Sequence, residues 1–145
     1  MGNKIISPYN KYNPIRIIDS INYVSDSSKS YCGQACIAML TGIAFEEIIK
    51  LMRQDEHPQH VTKKVLKKWL DYYGINYALK SAKYDPNLPL PELCIIRMIL
   101  PSGGGHWGLY FNGKYYDPDY GVLEECPQEV KIFQVWEIYS YPLYF

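Results

Sequence analysis

The chain has 145 residues, of which 48% are hydrophobic and 21% are charged, as expected for one soluble globular domain. Its 15 basic and 15 acidic residues balance, so charge gives no basis for binding nucleic acid or an anionic membrane. No segment has the features of a secretory signal or a transmembrane helix. We therefore expect no membrane insertion, and a location in the cytoplasm or export by a route without a cleavable signal peptide.

The first part of the chain predicts an extended arm followed by three helices. Residues 1–28 are rich in Pro, Asn, Ser and Tyr, with one β-like piece at 15–24. A first helix is predicted from Cys32 to Gly42, because "CGQACIAMLTG" contains good helix formers and ends in a glycine. A second helix is predicted over 44–54, where apolar residues recur at helical spacing.

The third predicted helix covers residues 62–74, with Thr62 as N-cap and Gly74 as C-terminal stop. An apolar stripe runs along it, and four lysines lie outside that stripe. Those lysines predict a solvent-exposed face. The stripe consists of Val65, Leu66, Trp69, Leu70 and Tyr73, and the lysines are Lys63, Lys64, Lys67 and Lys68.

After Gly74 the pattern changes to strands. Strands are predicted at 75–82, 94–100, 106–111, 115–119 and 132–141, with a tight "NGK" turn at 112–114. Helices followed by an antiparallel sheet give an α+β fold. We predict a single domain over 1–145, with an arm at 1–28, a helical part at 29–74 and a sheet part at 75–145.

Cys32 is the candidate nucleophile. At the start of a helix, unpaired N–H groups and the helix dipole stabilise a thiolate, which is the reactive form of cysteine. Gly33 beside it allows close approach of a substrate backbone. The alternative is a buried, inert cysteine. The chain is long enough to build a core without disulfides, so we expect Cys32, Cys36, Cys94 and Cys126 to be reduced thiols.

A base and its partner are sought among three histidines and the acidic residues. His57 and His60 lie in a polar loop and are expected to be exposed. His106 opens an apolar strand after a glycine run, and Asp117 follows across the predicted hairpin. A carboxylate there would orient the imidazole. Asp117 has an alternative reading as a turn residue, and Asp119 is a weaker candidate for the orienting role.

These segments resemble the papain-like cysteine peptidases, and most of all the bacteriocin-leader (double-glycine) peptidases and their stand-alone relatives, over roughly residues 20–125. That family has a Cys-Gly pair at a helix start, a second Cys and an Ala-Met pair, a later His that opens a strand, and an Asp-Pro after a hairpin. The matching residues are Cys32-Gly33, Cys36, Ala38-Met39, His106-Trp107 and Asp117-Pro118.

The resemblance implies a Cys32–His106–Asp117 triad at a helix start packed on an antiparallel sheet, a peptide or protein substrate, and no metal or organic cofactor. Contacts with the oxyanion or the substrate are expected from Asp26, Gly33, Gln34 and Trp107. One position departs from the family. Asp26 stands where the family has a Gln that donates to the oxyanion, and an ionised carboxylate cannot donate. We expect slow hydrolysis, another donor such as Ser27, Ser28 or Ser30, or a different reaction.

Four alternatives remain open from the sequence. A glutamine deamidase or acyl-transferase effector would use the same triad, and an inactive papain-like module would only bind a peptide. A zinc site could be built from Cys32 and Cys36 with two of Cys94, Cys126 and His106. Cys32 and Cys36 could also form a redox pair.

Overall fold

The computed structural model describes residues 7–28, 30–54 and 59–140. Within these ranges the chain is α+β, with three helices and an open antiparallel sheet of seven strands. The helices are α1 (Cys32–Thr41), α2 (Phe45–Met52) and α3 (Lys63–Tyr72). The strands are β1 (Asn76–Tyr77), β2 (Ala82–Lys83), β3 (Leu93–Ile99), β4 (Gly105–Phe111), β5 (Lys114–Asp117), β6 (Gly121–Leu123) and β7 (Lys131–Tyr139).

Helix α1 is the central helix, and every one of its residues is buried. It ends as predicted at Gly42, which adopts a left-handed conformation with φ of 78° and donates its N–H to the carbonyl of Ala38. Glycine adopts this conformation without steric cost, and the bond satisfies a carbonyl that the helix end leaves open.

Helix α3 is amphipathic, as its sequence predicts. The Thr62 side chain accepts a hydrogen bond from the N–H of Val65, so the predicted N-cap is confirmed. Leu66, Trp69 and Leu70 face the core. The predicted lysine face is exposed except at Lys63, which is half-buried and donates to Ser81.

The sheet has the order β1-β7-β3-β4-β5-β6, and β2 also pairs with β7. Strand β3 lies between β7 and β4, and alternate side chains along it enter two different cores. Leu93 and Ile95 pack with the helices, whereas Ile96 and Met98 belong to a second apolar cluster. The two cores explain why β3 reads as a continuous apolar run.

The turn between β4 and β5 is the predicted hairpin. Asn112 and Gly113 both have positive φ, 48° and 87°, which is the conformation that an Asn-Gly pair favours in a two-residue hairpin turn. The pairing of Leu109 with Tyr116 fixes the register of the two strands. This hairpin brings the end of β5 back towards the start of β4.

One sequence prediction about strands is wrong. The predicted strand 75–82 is divided into two short strands, because residues 79–81 leave the edge of the sheet and Leu79 is 91% exposed. The β-like piece at 15–24 forms no strand. Its backbone instead makes scattered bonds, from Ile15 N–H to Tyr73 and from Ile18 N–H to Ser140. Strand β6 was not predicted, since three residues carry too short a pattern.

The described part of the arm, residues 7–28, wraps onto the domain as predicted. Arg16 donates hydrogen bonds to the carbonyls of Met39 and Leu40 near the end of α1. None of the helices in the described ranges combines the length and apolar character that crossing a membrane requires.

Candidate active site

Cys32 is the first residue of α1 and is nearly buried, with 5% of its surface exposed. The first hydrogen bond of the helix runs from Ala35 N–H to the carbonyl of Tyr31. The N–H groups of residues 32–34 therefore lie before the repeating helical bonds begin, where they can stabilise negative charge. The predicted position of Cys32 at a helix start is confirmed.

His106 is a buried residue near the start of β4, and its side chain bridges two of the other predicted residues. Its Nε2 lies 2.8 Å from Asp117 Oδ1 and 3.0 Å from Oδ2. A carboxylate only accepts, so Nε2 carries a hydrogen and donates it. The imidazole is also hydrogen bonded to the Cys32 side chain, for which Nδ1 is the remaining nitrogen.

The environment of His106 favours the protonated ring. Burial by itself lowers the pKa of His106, but the hydrogen bonds and charges of Asp117 and Cys32 outweigh it and raise the pKa to about 10. At neutral pH the ring is therefore an imidazolium, and it lies between the Asp117 carboxylate and the Cys32 thiol. This is the charge arrangement that a thiolate–imidazolium pair needs.

Asp117 is held in place by its own turn. Its Oδ1 accepts hydrogen bonds from the N–H groups of Asp119 (2.9 Å) and Tyr120 (3.2 Å). The same carboxylate therefore accepts hydrogen bonds within the turn and contacts the imidazole of His106. Gly108 makes room for Met98, since a Cβ there would lie 2.7 Å from Met98 Cε, whereas its distance of 3.6 Å from Asp117 Oδ2 is an ordinary contact.

Asp119 lies on the other side of the imidazole. Its Oδ2 is 3.8 Å from His106 Nδ1, which is too long for a hydrogen bond. Asp117 is therefore the residue that contacts Nε2, and Asp119 is an additional carboxylate beside the nitrogen that faces Cys32.

Asp26 is buried, and both oxygens of its carboxylate have partners. Oδ1 accepts from the Ser28 hydroxyl and Oδ2 from the N–H of Tyr31, each at 2.7 Å. The Ser28 hydroxyl donates to this carboxylate, and the Ser30 hydroxyl lies 3.4 Å from the carbonyl of Ser28. The described hydrogen bonds of the Asp26 side chain are therefore within its own loop. A contact of Asp26 with the oxyanion or the substrate stays a prediction.

The packing gives a reason for glycine at position 33, and the expected approach of a substrate there stays a prediction. A Cβ on Gly33 would lie 2.2 Å from Val61 Cγ2, so the absent side chain makes room for Val61. Trp107 packs beside the same glycine and donates from Nε1 to the carbonyl of Val61 at 2.8 Å. Arg97 covers the Trp107 ring, 4.4 Å from its centroid. These contacts fix α1 against β4, which holds Cys32 and His106 together.

Gln34 is buried in the first turn of α1, with 1% of its surface exposed. Any role of Gln34 in binding the oxyanion stays a prediction.

The other three cysteines have environments unlike that of Cys32. Burial raises the pKa of Cys36, that of Cys94 to about 12, and that of Cys126. All four thiols are free, so Cys32 and Cys36 form no disulfide in this structure, and a redox role for the pair stays a prediction. These raised pKa values favour unreactive thiols at neutral pH.

One group in the described ranges could hold a metal ion. His106, Asp117 and Asp119 present ligand atoms that lie within 4.8 Å of one another. No cysteine belongs to this group, so the predicted zinc alternative built on Cys32 and Cys36 is not assembled. His57 lies outside the described residues, and His60 is exposed as predicted.

Sequence reasoning missed Tyr23, whose hydroxyl donates to the carbonyl of Asp117 at 2.6 Å. No local pattern marks this residue, because the contact joins positions far apart in the chain.

Comparison with models of known protein families finds no match, and neither does comparison with curated protein sequences. The resemblance to papain-like peptidases therefore stays an interpretation of the residues quoted above.

Proposed function

We propose that this protein is a papain-like cysteine peptidase that hydrolyses peptide bonds through Cys32, His106 and Asp117. The observation that carries the proposal is the buried imidazole of His106, which is hydrogen bonded to the Cys32 side chain and to the Asp117 carboxylate. A purely structural histidine in an apolar core gains nothing from facing a thiol at a helix start. That combination is what nucleophilic acyl transfer requires.

In the proposed reaction, the Cys32 thiolate attacks the carbonyl carbon of the substrate amide and forms a C–S bond. The tetrahedral intermediate collapses with cleavage of the C–N bond, and His106 gives the leaving nitrogen its Nδ1 proton. A thioester remains on Cys32. Water then adds to the thioester and gives a proton to His106, and the acid product leaves as the thiolate is restored.

The remaining groups have supporting roles in this reaction. Asp117 keeps the ring oriented and stabilises its positive charge. The backbone N–H of Cys32 is one donor for the oxyanion. The hydroxyl of Ser28 donates to the carboxylate of Asp26, so we expect another group to be the second hydrogen-bond donor to the oxyanion. The chain's own residues supply the nucleophile, the acid and the base.

A second candidate is a glutamine deamidase, and it is Asp119 that favours it. A nitrogen about 3 Å from both His106 Nδ1 and Asp119 Oδ2 fits between atoms 3.8 Å apart. A leaving ammonia has spare N–H groups to donate to that carboxylate, whereas the nitrogen of a peptide bond has fewer.

The test compares wild type and Cys32→Ala on the same mixture of cellular proteins by tandem mass spectrometry. New peptide termini that need Cys32 identify a peptidase. A gain of about one dalton on Gln, where an amide nitrogen is replaced by oxygen, identifies a deamidase. Products formed equally by Cys32→Ala contradict both proposals.

Labelling with iodoacetamide provides a test that needs no substrate. We expect Cys32 to be alkylated far faster at neutral pH than Cys36, Cys94 or Cys126. Equal rates at Cys32 and at the half-buried Cys126 contradict an activated nucleophile.

A further inference from the structure

Asp26 is a buried carboxylate that the proposed reaction does not use. It is 2% exposed and lies in the loop that leads from the arm into α1. Burying an ionised group is costly unless hydrogen bonds compensate. Its carboxylate has two such bonds within the loop, from Ser28 and Tyr31, and its backbone N–H makes a third to a distant segment.

The partners of Asp26 are neighbours of the two ends of the triad. Its Oδ2 accepts from the N–H of Tyr31, the residue immediately before Cys32, at 2.7 Å. Its own N–H donates to the carbonyl of Pro118, the residue immediately after Asp117, at 2.8 Å. One buried residue therefore ties the start of α1 to the turn after β5.

Tyr23 makes a second contact from the same arm to the same turn. Tyr23 lies three residues before Asp26, and its hydroxyl donates to the carbonyl of Asp117 at 2.6 Å. That carbonyl is next to the Pro118 carbonyl, which accepts from the N–H of Asp26. Both residues of the Asp-Pro pair are thus held through their carbonyls by the arm. Neither bond involves the carboxylate of Asp117, which remains directed at His106.

We infer that Asp26, together with Tyr23, is a positioning residue that sets the placement of Asp117 relative to Cys32. This inference rests on the proposed function, because it assigns these residues to the same triad. It also gives a reason for a hydrogen-bond acceptor at position 26. An acceptor for the Tyr31 N–H is needed there, and a donor for the oxyanion is not.

The pH behaviour of His106 reports this role, because the hydrogen bonds that hold its pKa high are those to Asp117 and Cys32. If the arm positions Asp117, then breaking the arm contacts lowers the pKa of His106 although the contacting residues do not touch the ring. A residue that only stabilises the fold leaves that pKa unchanged in the molecules that remain folded.

The experiment uses the full chain and four variants, with two readouts that need no substrate. The readouts are the pKa of His106 by NMR titration and the alkylation rate of Cys32 by iodoacetamide at pH 7. Asp26→Ala removes both carboxylate bonds, Asp26→Asn keeps an acceptor for Tyr31, and Tyr23→Phe removes only a hydroxyl. Asp85→Ala is the matched control, because Asp85 also accepts a loop N–H, from Asn87, in an exposed turn outside the triad.

We expect Asp26→Ala and Tyr23→Phe to lower the pKa of His106 by about one unit or more and to slow alkylation about ten-fold. The alkylation rate of Asp26→Asn should stay within about three-fold of the wild-type rate, and Asp85→Ala should match wild type in both readouts. If Asp26→Ala does not fold, Tyr23→Phe decides, since it leaves the loop bonds of Asp26 in place.

Three results would overturn the inference. In the first, both readouts stay unchanged in Tyr23→Phe and in folded Asp26→Ala. In the second, Asp26→Asn loses as much as Asp26→Ala, so that charge rather than an acceptor matters. In the third, Asp85→Ala has an equal effect. Failure of the proposed function looks different, because wild-type Cys32 would then react no faster than an ordinary thiol.

Discussion

Helices α1 and α3 have the same length, ten residues each, and are stabilised in different ways. Helix α3 carries its own signals: Thr62 caps its first turn, apolar residues form one stripe and lysines form most of the other face. Helix α1 is buried on all sides, has no acidic residue in its first turn, and its N-cap residue Tyr31 makes no side-chain capping bond in the described structure.

The two helices differ in whether a side chain caps the first turn, and this difference bears on stability in α3 and on the proposed reactivity of Cys32 in α1. Capping the first turn of a helix satisfies its free N–H groups and so makes them unavailable to a ligand or a thiolate. Helix α3 uses its first turn for stability. The first turn of α1 is held instead by surrounding elements, among them Trp107 and the bonds of Asp26, and its N–H groups stay near the Cys32 thiol. Replacing Cys32 at the start of α1 should therefore abolish reactivity with the fold intact, whereas removing the Thr62 cap of α3 should lower stability and leave reactivity unchanged.

The largest effect is expected at the start of α1. Cys32→Ala and His106→Ala should each reduce turnover by a factor of at least about 10⁴, because the nucleophile and the base act as one unit. For the same reason the double variant should be no slower than either single variant. Both proteins should remain folded by circular dichroism. Most of the activity surviving in Cys32→Ala would contradict the assignment of the nucleophile.

Asp117→Asn should lower turnover by between about ten-fold and 10⁴-fold with the fold intact, since an amide can present the wrong group to His106 Nε2. Asp119→Asn is the matched variant, because Asp119 does not contact Nε2. We expect it to have the smaller effect on the rate. The reverse order, measured as kcat on one substrate, would transfer the orienting role to Asp119.

Stability should depend on pH through His106. Its pKa in the folded protein is about 10, above the ordinary value of 6.5, so the folded state holds a proton that the unfolded state releases. The stabilisation is complete below about pH 6.5, declines as the pH rises, and is lost above about pH 10. The free energy of unfolding of His106→Gln should therefore fall less steeply than that of wild type across this window in urea titrations. Parallel slopes would contradict the raised pKa.

The comparison of the two helices also explains what the sequence could reveal. Helix α3 was predicted with its cap and its exposed and buried faces, because Thr62, the apolar stripe and Gly74 lie within one short segment. The β4–β5 hairpin was predicted for the same reason, from Asn112 and Gly113. The division of 75–82 into two strands depends on distant contacts, such as the bond from Trp136 to the carbonyl of Ala78, and could not be read locally.

The candidate site followed the same rule. Cys32, His106 and Asp117 were found because a helix start, a strand start and a turn each mark one of them. The contacts that hold the site together were not found. The space that Gly33 leaves for Val61 and the bond from Asp26 to Pro118 both join segments separated by many residues. Gly33 was assigned to substrate approach since only its neighbour Cys32 was visible.

Gly33→Ala tests the packing of position 33 against Val61. Alanine normally stabilises a helix relative to glycine, so the sign of the effect is informative. Here the new Cβ would lie 2.2 Å from Val61 Cγ2, and we expect destabilisation of about 1–3 kcal/mol from overpacking. Gly33→Ala combined with Val61→Ala should cost less than the sum of the two single variants. Additive losses in urea unfolding would contradict direct contact between the two positions.

The smallest effect is expected at the start of α3. Thr62→Ala removes the acceptor for the Val65 N–H and should lower the free energy of unfolding by about 1 kcal/mol. Thr62→Ser is the matched control and should retain most of the stability, because its hydroxyl can accept the same bond. The reactivity of Cys32 towards iodoacetamide should be unchanged in both variants at a temperature where they are folded. A change in that reactivity as large as the one caused by Asp117→Asn would mean that the two helix starts are coupled, and that stability and reactivity are not separated between them.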